Sequence, residues 1–590
     1  MVLDAAKRTS PYTPGHAALG MHHRAPDRVL RAGIRVVRTR ARARSDRTTG
    51  RATNARRRDA PDGRVVAPNL NRVAASLLTV LTAACLVTGC VAPAMGASGD
   101  QRPVRILAGG PATLDPAAAG DAGSSNVIGQ LYETLTSFDT TLTLRPALAE
   151  SWDIQDGGRR IVFRLRDDLT FSDGTPLTGD DVVRSWMRII DPASPSPLVA
   201  LMADVEGAMA YVRGQNDDPA SVGLRADGQE VTVDLNRPAA DFVTVVASPT
   251  FSVVPPGIDD DPRAVAPGTF IGSGGYTIDA AGPSSTTLAA NPRYWAGEPQ
   301  ITEVELVHGL NGRSAIEAYE GGEIDYMPLA DFDASWIAYD RSLGPDLREV
   351  PSLAVQYYGF DTTRPPFDDV RVRQAFGSAV DWRRIAALGS TSPEDVATSM
   401  VPPGIPGRSD RDYLPVHDPA AARRLLADAG YPNGANFPDV TMLTGGGLFD
   451  EAIAREVERE LGIDITTETM GDGYFQRLTE DPPQIWSLSW IADYPGPNDF
   501  LGVLLGTGST SNEGGWSNPD FDAAIADAGG AATPEDATAA YARALEIVRD
   551  EAPAVPVSYG TSYTLVRNGL LGATQNGLGI LRLAGLAWAR

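Results

Sequence analysis

Apolar and polar positions alternate at Ile161, Phe163 and Leu165 and again at Val231, Val233 and Leu235, the period of strands buried on one face. Helical spacing replaces it elsewhere. Val182, Trp186, Ile189 and Ile190 line one face of a helix that Thr178 and Asp181 open with the spacing of a capping box. Val372, Ala375, Phe376, Ala379 and Val380 form a second such face, capped by Asp368 or Asp369, and Ala422, Leu425, Leu426 and Ala429 a third, between the cap Asp418-Pro419 and the stop Gly430. Val127, Leu131 and Leu135 predict a helix over 126–135 behind a Gly/Ser loop at 120–125, and Ala315, Ala318 and Tyr319 predict one that ends at Gly321-Gly322. Short apolar runs at 104–107, 355–360 and 485–490 read as strands. The last leads into a loop that carries Asp493 and is stiffened by Pro495 and Pro497. Strands and helices interleave throughout, which predicts an α/β fold.

One apolar run does not fit a globular domain. Residues 73–87 are apolar or small, follow Arg64 and Arg72, and precede Thr88-Gly89-Cys90, the layout of a secretory signal and too short for a membrane-spanning helix, which needs about 20 residues. Leu86-Val87-Thr88-Gly89-Cys90 resembles a bacterial lipobox, which implies cleavage before Cys90, a lipid on its sulfur and a tether over 91–100. The Arg-rich stretch 1–72 ahead of it shows almost no periodicity and is expected to be leader or upstream sequence, with the true start at Val65 or Val66.

Composition then narrows the function. Residues 1–72 hold 17 of the 51 basic residues but 5 of the 75 acidic ones, so their removal takes the formal charge from −24 to −36. Such a surface repels phosphate backbones, so no nucleic acid partner is expected. Cys90 would be the one cysteine left, which excludes an internal disulfide. His308 and His417 are the only histidines beyond the leader and Lys7 is the only lysine, so a Ser/His/Asp triad, a Walker A loop and a histidine- or thiol-based metal site are not expected, nor is any cofactor. No G-x-S-x-G elbow occurs, and the protein is not expected to be an enzyme. Asp493, set between Trp490 and Tyr494 at a strand end, is the leading candidate to hold a ligand's positive charge, although it also suits a turn cap ahead of Pro495.

Six motifs occur in order: Leu114-Asp-Pro116, 171–178 (Phe-Ser-Asp-Gly-Thr-Pro-Leu-Thr), Asn291-Pro-Arg-Tyr-Trp295, Gly322-Glu-Ile-Asp325, 366–375 (Pro-Phe-Asp-Asp-Val-Arg-Val-Arg-Gln-Ala) and Trp490-Ile-Ala-Asp-Tyr494. Together they resemble extracellular solute-binding protein family 5, the oligopeptide- and dipeptide-binding lipoproteins of ABC importers, over about 104–557. The resemblance implies a two-lobed, periplasmic-binding-protein-like clamp (type II) with an additional small α/β domain. Lobe one would comprise 101–144, 268–348 and 552–590, the accessory domain 145–267 and lobe two 349–551, with hinges near 268–272, 348–352 and 550–554. It further implies a monomeric, extracytoplasmic receptor, anchored through Cys90 to the outer face of the cell membrane, that captures short peptides and passes them to a membrane permease. By position, Asp493 would pair with the peptide's ammonium, and Gly120, Asp121 and Ala122 on lobe one and Ser489, Trp490 and Ile491 on lobe two would meet its backbone. Tyr494, Tyr357 and Trp516 complete the expected ligand-binding set. Ser487 and Gly120 stand where some relatives carry a charged residue, which leaves the handling of the ligand's carboxylate open. The alternatives are an oligosaccharide receptor of the same fold, with tryptophans as sugar platforms, and, from another class, a secreted hydrolase or an envelope scaffold.

Overall fold

The computed structural model describes residues 102–589 apart from 259–267, 390–394, 448 and 472. The leader, the signal, the tether and Cys90 lie outside the described residues, as does part of the expected accessory domain.

The described chain is built on one ten-stranded mixed sheet. From one edge the strands run Ile465–Thr469, Val440–Thr444, Ile485–Ile491, Leu347–Phe360, Ala554–Val566, Tyr326–Leu329, Val104–Leu107, Glu303–Val307, Ser285–Ala290 and Tyr276–Ala281. The last five come from the segments expected as lobe one, and the first three from those expected as lobe two. Two long strands, Leu347–Phe360 and Ala554–Val566, run through both halves as an antiparallel pair. Their register shifts between Pro351 and Val355, where the ladder opens and Leu353 N–H donates instead to the Gly577 carbonyl at 2.7 Å. Such a bulge bends both strands between the two halves of the sheet.

Each half has its own core. Val104, Ile106, Ile128, Leu131, Tyr276 and Leu306 pack in one, and Phe360, Phe376, Leu426, Met442, Ile453 and Val457 in the other. Segment 145–267 carries a separate four-stranded antiparallel sheet, in the order Ala149–Gln155, Arg160–Leu165, Glu230–Asp234, Leu224–Asp227, covered by the helix Gly179–Ile189. Trp186 on that helix meets Phe163 and Phe251 edge-on at 6.4 and 5.3 Å, the geometry that aromatic quadrupoles favour.

Local signals place most helices. The capping box of Thr178 and Asp181 is formed, and Asp418 and Asp369 each accept a backbone N–H of the helix they precede, which resolves the choice between Asp368 and Asp369. One expectation is corrected. The helix predicted over 126–135 is Ala122–Leu131, because Asp121 Oδ1 accepts Ser124 N–H at 2.8 Å and starts it inside the supposed Gly/Ser loop. The helix Asp450–Leu461 was not anticipated, although Ile453, Val457 and Leu461 give it a buried stripe.

Most of the six motifs are structural fastenings. Asp115 caps a short 3-10 turn and receives both arms of Arg188 at 2.9 and 2.7 Å, tying the first segment to 145–267. Asp173 accepts Thr175 N–H in a tight turn, where Gly174 has φ +89°. Tyr294 donates to the buried Glu133 at 2.5 Å, and Glu133 is also paired with Arg582. Asp325 joins two arginines from distant segments.

Candidate functional site

The strand Ile485–Ile491 is antiparallel to Leu347–Phe360, with Ser489 opposite Gln356, Trp490 opposite Val355 and Ile491 opposite Ala354. On its other side it meets Val440–Thr444 only through Ile485 and Trp486. Beyond these two residues its outer edge pairs with no strand among the described residues. Ala492 N–H donates inward to the Leu353 carbonyl at 2.8 Å, so by the alternation of an antiparallel ladder the N–H and C=O groups of Ser489 and Ile491 point outward. The next outward carbonyl back, that of Ser487, is taken by the Tyr474 hydroxyl at 2.5 Å. An unpaired edge of this kind accepts an extended chain as an added strand.

The two faces of this strand differ. Ser489 and Ile491 are exposed on one, and Trp490 is half-buried on the other. Tyr357 shares the Trp490 face and is packed in a core with Leu353, Val355 and Trp516, whose ring meets Phe521 at 4.9 Å. Tyr358, on the opposite face, donates to Asp450. Tyr357 and Trp516 are thus both buried. Gly120, Asp121 and Ala122 are exposed, Asp121 is occupied as a helix cap, and Gly120 lies so close to Pro197 that a Cβ would stand 2.8 Å from its ring. No hydrogen bond joins 120–122 to 489–491 among the described residues.

The loop that follows is shaped by a residue that the sequence reading did not single out. Asp499 is fully buried, and its Oδ2 accepts both Trp490 Nε1–H at 3.0 Å and Asp493 N–H at 3.1 Å, drawing the strand end and the loop together. Tyr494 is buried in the core of 145–267, alongside Val503, and its hydroxyl accepts Asn498 Nδ2–H at 3.0 Å. Only one signal could have flagged Asp499, an acid at the head of the apolar run Phe500-Leu501.

Part of Asp493 remains open to solvent, but its Oδ2 is sealed off and accepts no hydrogen bond. Asp499 Oδ1 and Asn498 Oδ1 are in the same condition, so the loop's unmatched buried atoms are all carboxyl or amide oxygens. No ion pair reaches Asp493 or Asp499 among the described residues. Burial lifts the Asp493 carboxyl from 3.8 to about 7, and burial together with the Asp493 charge raises Asp499 well above the usual carboxylate range. One cavity touches the strand at Ser489 and another the loop at Tyr494 and Asn498. The first, of about 200 Å³, is lined by Ser489, Gln356, Asp331 and Thr561; the other, of about 390 Å³, by Tyr494, Asn498, Asp204 and Arg237.

The raised Asp493 carboxyl has a consequence for stability. Between 3.8 and about 7 the folded state holds a proton that the unfolded state has lost, so the contribution is full at low pH and disappears as pH rises through about 7. In urea unfolding of the ligand-free protein, the stability of Asp493→Asn relative to wild type is expected to rise between about pH 5 and pH 7, by at most roughly 1.4 kcal/mol per pH unit. Parallel pH profiles would contradict this.

Comparison with known proteins agrees with this architecture. Residues 143–512 match the profile described as Bacterial extracellular solute-binding proteins, family 5 Middle. The probable deoxycholate-binding periplasmic protein YgiS of Escherichia coli is 31% identical over 469 residues, covering 76% of this chain and 86% of that protein. Among solved structures, the murein tripeptide binding protein MppA of Escherichia coli superposes with a TM-score of 0.74 at 26% identity, over 83% of this chain and 98% of that one. Its unliganded open form, with the same identity, covers 83% and 97% and scores 0.64. The fold is the two-lobed α/β clamp of such binding proteins. Since the profile spans more than half of its residues, the chain belongs to the bacterial extracellular solute-binding proteins, family 5.

Proposed function

We propose that the protein is the substrate receptor of an ABC importer, taking short peptides with a free amino terminus into its interlobe cleft and delivering them to a membrane permease. The observation that carries this reading is the juxtaposition at 489–493: an open sheet edge whose outward groups belong to Ser489 and Ile491, followed by the unmatched carboxylate oxygen of Asp493. A peptide added as a strand exchanges main-chain hydrogen bonds whatever its side chains. Its ammonium then supplies the positive charge and N–H donors that Asp493 lacks.

On this reading Trp490 and Tyr494 shape the ammonium end, and 120–122 offer backbone from lobe one. Tyr357 and Trp516 support the floor from the core behind. The lobes are the segments named above, and they move about the bulge at 351–355. The receptor works as a monomer, without catalysis, held by a lipid on Cys90 at the outer face of the membrane. Among the described residues no helix is long and apolar enough to cross a membrane.

The similarity to a relative named for deoxycholate favours a second reading, an amphipathic anion. A loop with two buried carboxyl groups and no cationic side chain paired to them among the described residues weighs against it. Calorimetric titration of the ligand-stripped protein with trialanine, N-acetyl-trialanine and deoxycholate separates the two. Binding of trialanine alone is expected; equal binding of the acetylated peptide, or of deoxycholate alone, overturns the peptide reading.

A further inference from the structure

We propose that Asp499 is a specificity-determining residue of this site: with Asp493 it forms a two-carboxylate cradle that takes two N–H groups of the ligand's terminal ammonium. The inference rests on the reading that Asp493 meets that ammonium.

Holding the loop explains only half of Asp499. One oxygen, Oδ2, makes both contacts, to Trp490 Nε1–H and to Asp493 N–H. An asparagine would provide the same oxygen without an ionisable group in the interior, where the ionised form is costly unless a cation meets it. The second oxygen, Oδ1, belongs to a residue with 0% exposure and accepts nothing. Asp493 Oδ2 is equally unmatched, and the two residues are already joined through the Asp493 N–H. Two adjacent buried carboxyl groups, each with an oxygen that has no partner and neither in an ion pair among the described residues, suit a cation with at least two N–H donors, whose arrival displaces the proton that the pair holds without it. A primary ammonium carries three donors, a singly methylated one two and a doubly methylated one a single donor. The cradle therefore selects ligands with a primary or secondary amino terminus and discriminates against a tertiary one, whereas a lone Asp493 needs only one N–H.

The test is calorimetric titration of the ligand-stripped full chain with trialanine, N-methyl-trialanine and N,N-dimethyl-trialanine, using wild type, Asp499→Asn and Asp493→Asn. Wild type is expected to bear the first methyl with little loss and to lose about tenfold or more on the second. Asp499→Asn is expected to bind trialanine about ten- to hundredfold more weakly and to show no step between the first and second methyl. Because the variant keeps an oxygen for Trp490 and the Asp493 N–H, unchanged affinity would mean that Asp499 only holds the loop, and the proposal falls. Should Asp499→Asn not fold, the wild-type series decides, since dimethylated peptide bound as well as monomethylated peptide overturns the cradle. Loss of binding in Asp493→Asn with none in Asp499→Asn removes the cradle and leaves the ammonium anchor standing. Unchanged binding in Asp493→Asn removes the anchor itself and the cradle with it.

Discussion

Asp493→Asn is expected to weaken the binding of a short peptide with a free amino terminus by about 2–5 kcal/mol, the range for truncating one side of a buried charge pair. The size follows from the surroundings. Asp493 Oδ2 is closed to solvent, and neither an arginine nor a histidine forms an ion pair with it among the described residues, so an ammonium brought there has no other charge to neutralise it than this carboxylate and Asp499. An asparagine keeps the shape of the side chain but places neutral groups beside a desolvated cation. Titration calorimetry with trialanine measures the loss, and thermal unfolding of the ligand-free variant separates it from misfolding. An affinity within about 0.5 kcal/mol of wild type would mean that Asp493 is only a turn residue.

Asp325→Ala is expected to cost about 3–5 kcal/mol of folding stability, as removal of one partner from a buried ion cluster does. Asp325 has 0% exposure, accepts Arg102 at 3.0 and 2.9 Å and Arg105 N–H at 3.0 Å, and lies 3.7 Å from Arg567 Nε. Its own N–H and C=O are bonded to Arg105 and Arg567. One carboxylate thus joins three segments remote in sequence, and its loss leaves Arg102 without its carboxylate partner and Arg567 with its backbone acceptors alone. Urea unfolding would show a lower midpoint, while the folded variant is expected to bind trialanine normally, because nothing in this cluster touches the loop at 493–499. A loss below about 1 kcal/mol would show that water replaces the carboxylate without penalty.

These two aspartates illustrate what a motif conveys. Both belong to recurring patterns of one family, yet Asp325 is saturated by arginines and Asp493 is starved of them. The residue types are alike, and their roles diverge through the partners that folding brings to each. Tyr357 and Trp516 show the same limit, since an aromatic residue in a cleft and one in a core have the same local spacing. Glu513 lies in a loop, yet it is partly buried, and burial raises its carboxyl.

By itself the sequence determined the α/β class, the strand at 485–491 with its Asp493 loop, the caps at Asp418 and Thr178, and the family, because each depends on periodicity or on short-range order along the chain. Only the tertiary structure decided that, among the described residues, no strand pairs with the outer edge beyond Trp486 and that Asp499 bonds both Trp490 and Asp493. It alone decided that the unmatched buried atoms of the loop are carboxyl and amide oxygens. Whether an edge is paired or a carboxylate is dry is set by what packs against it, and for this loop that includes the core of 145–267, more than two hundred residues away in the chain.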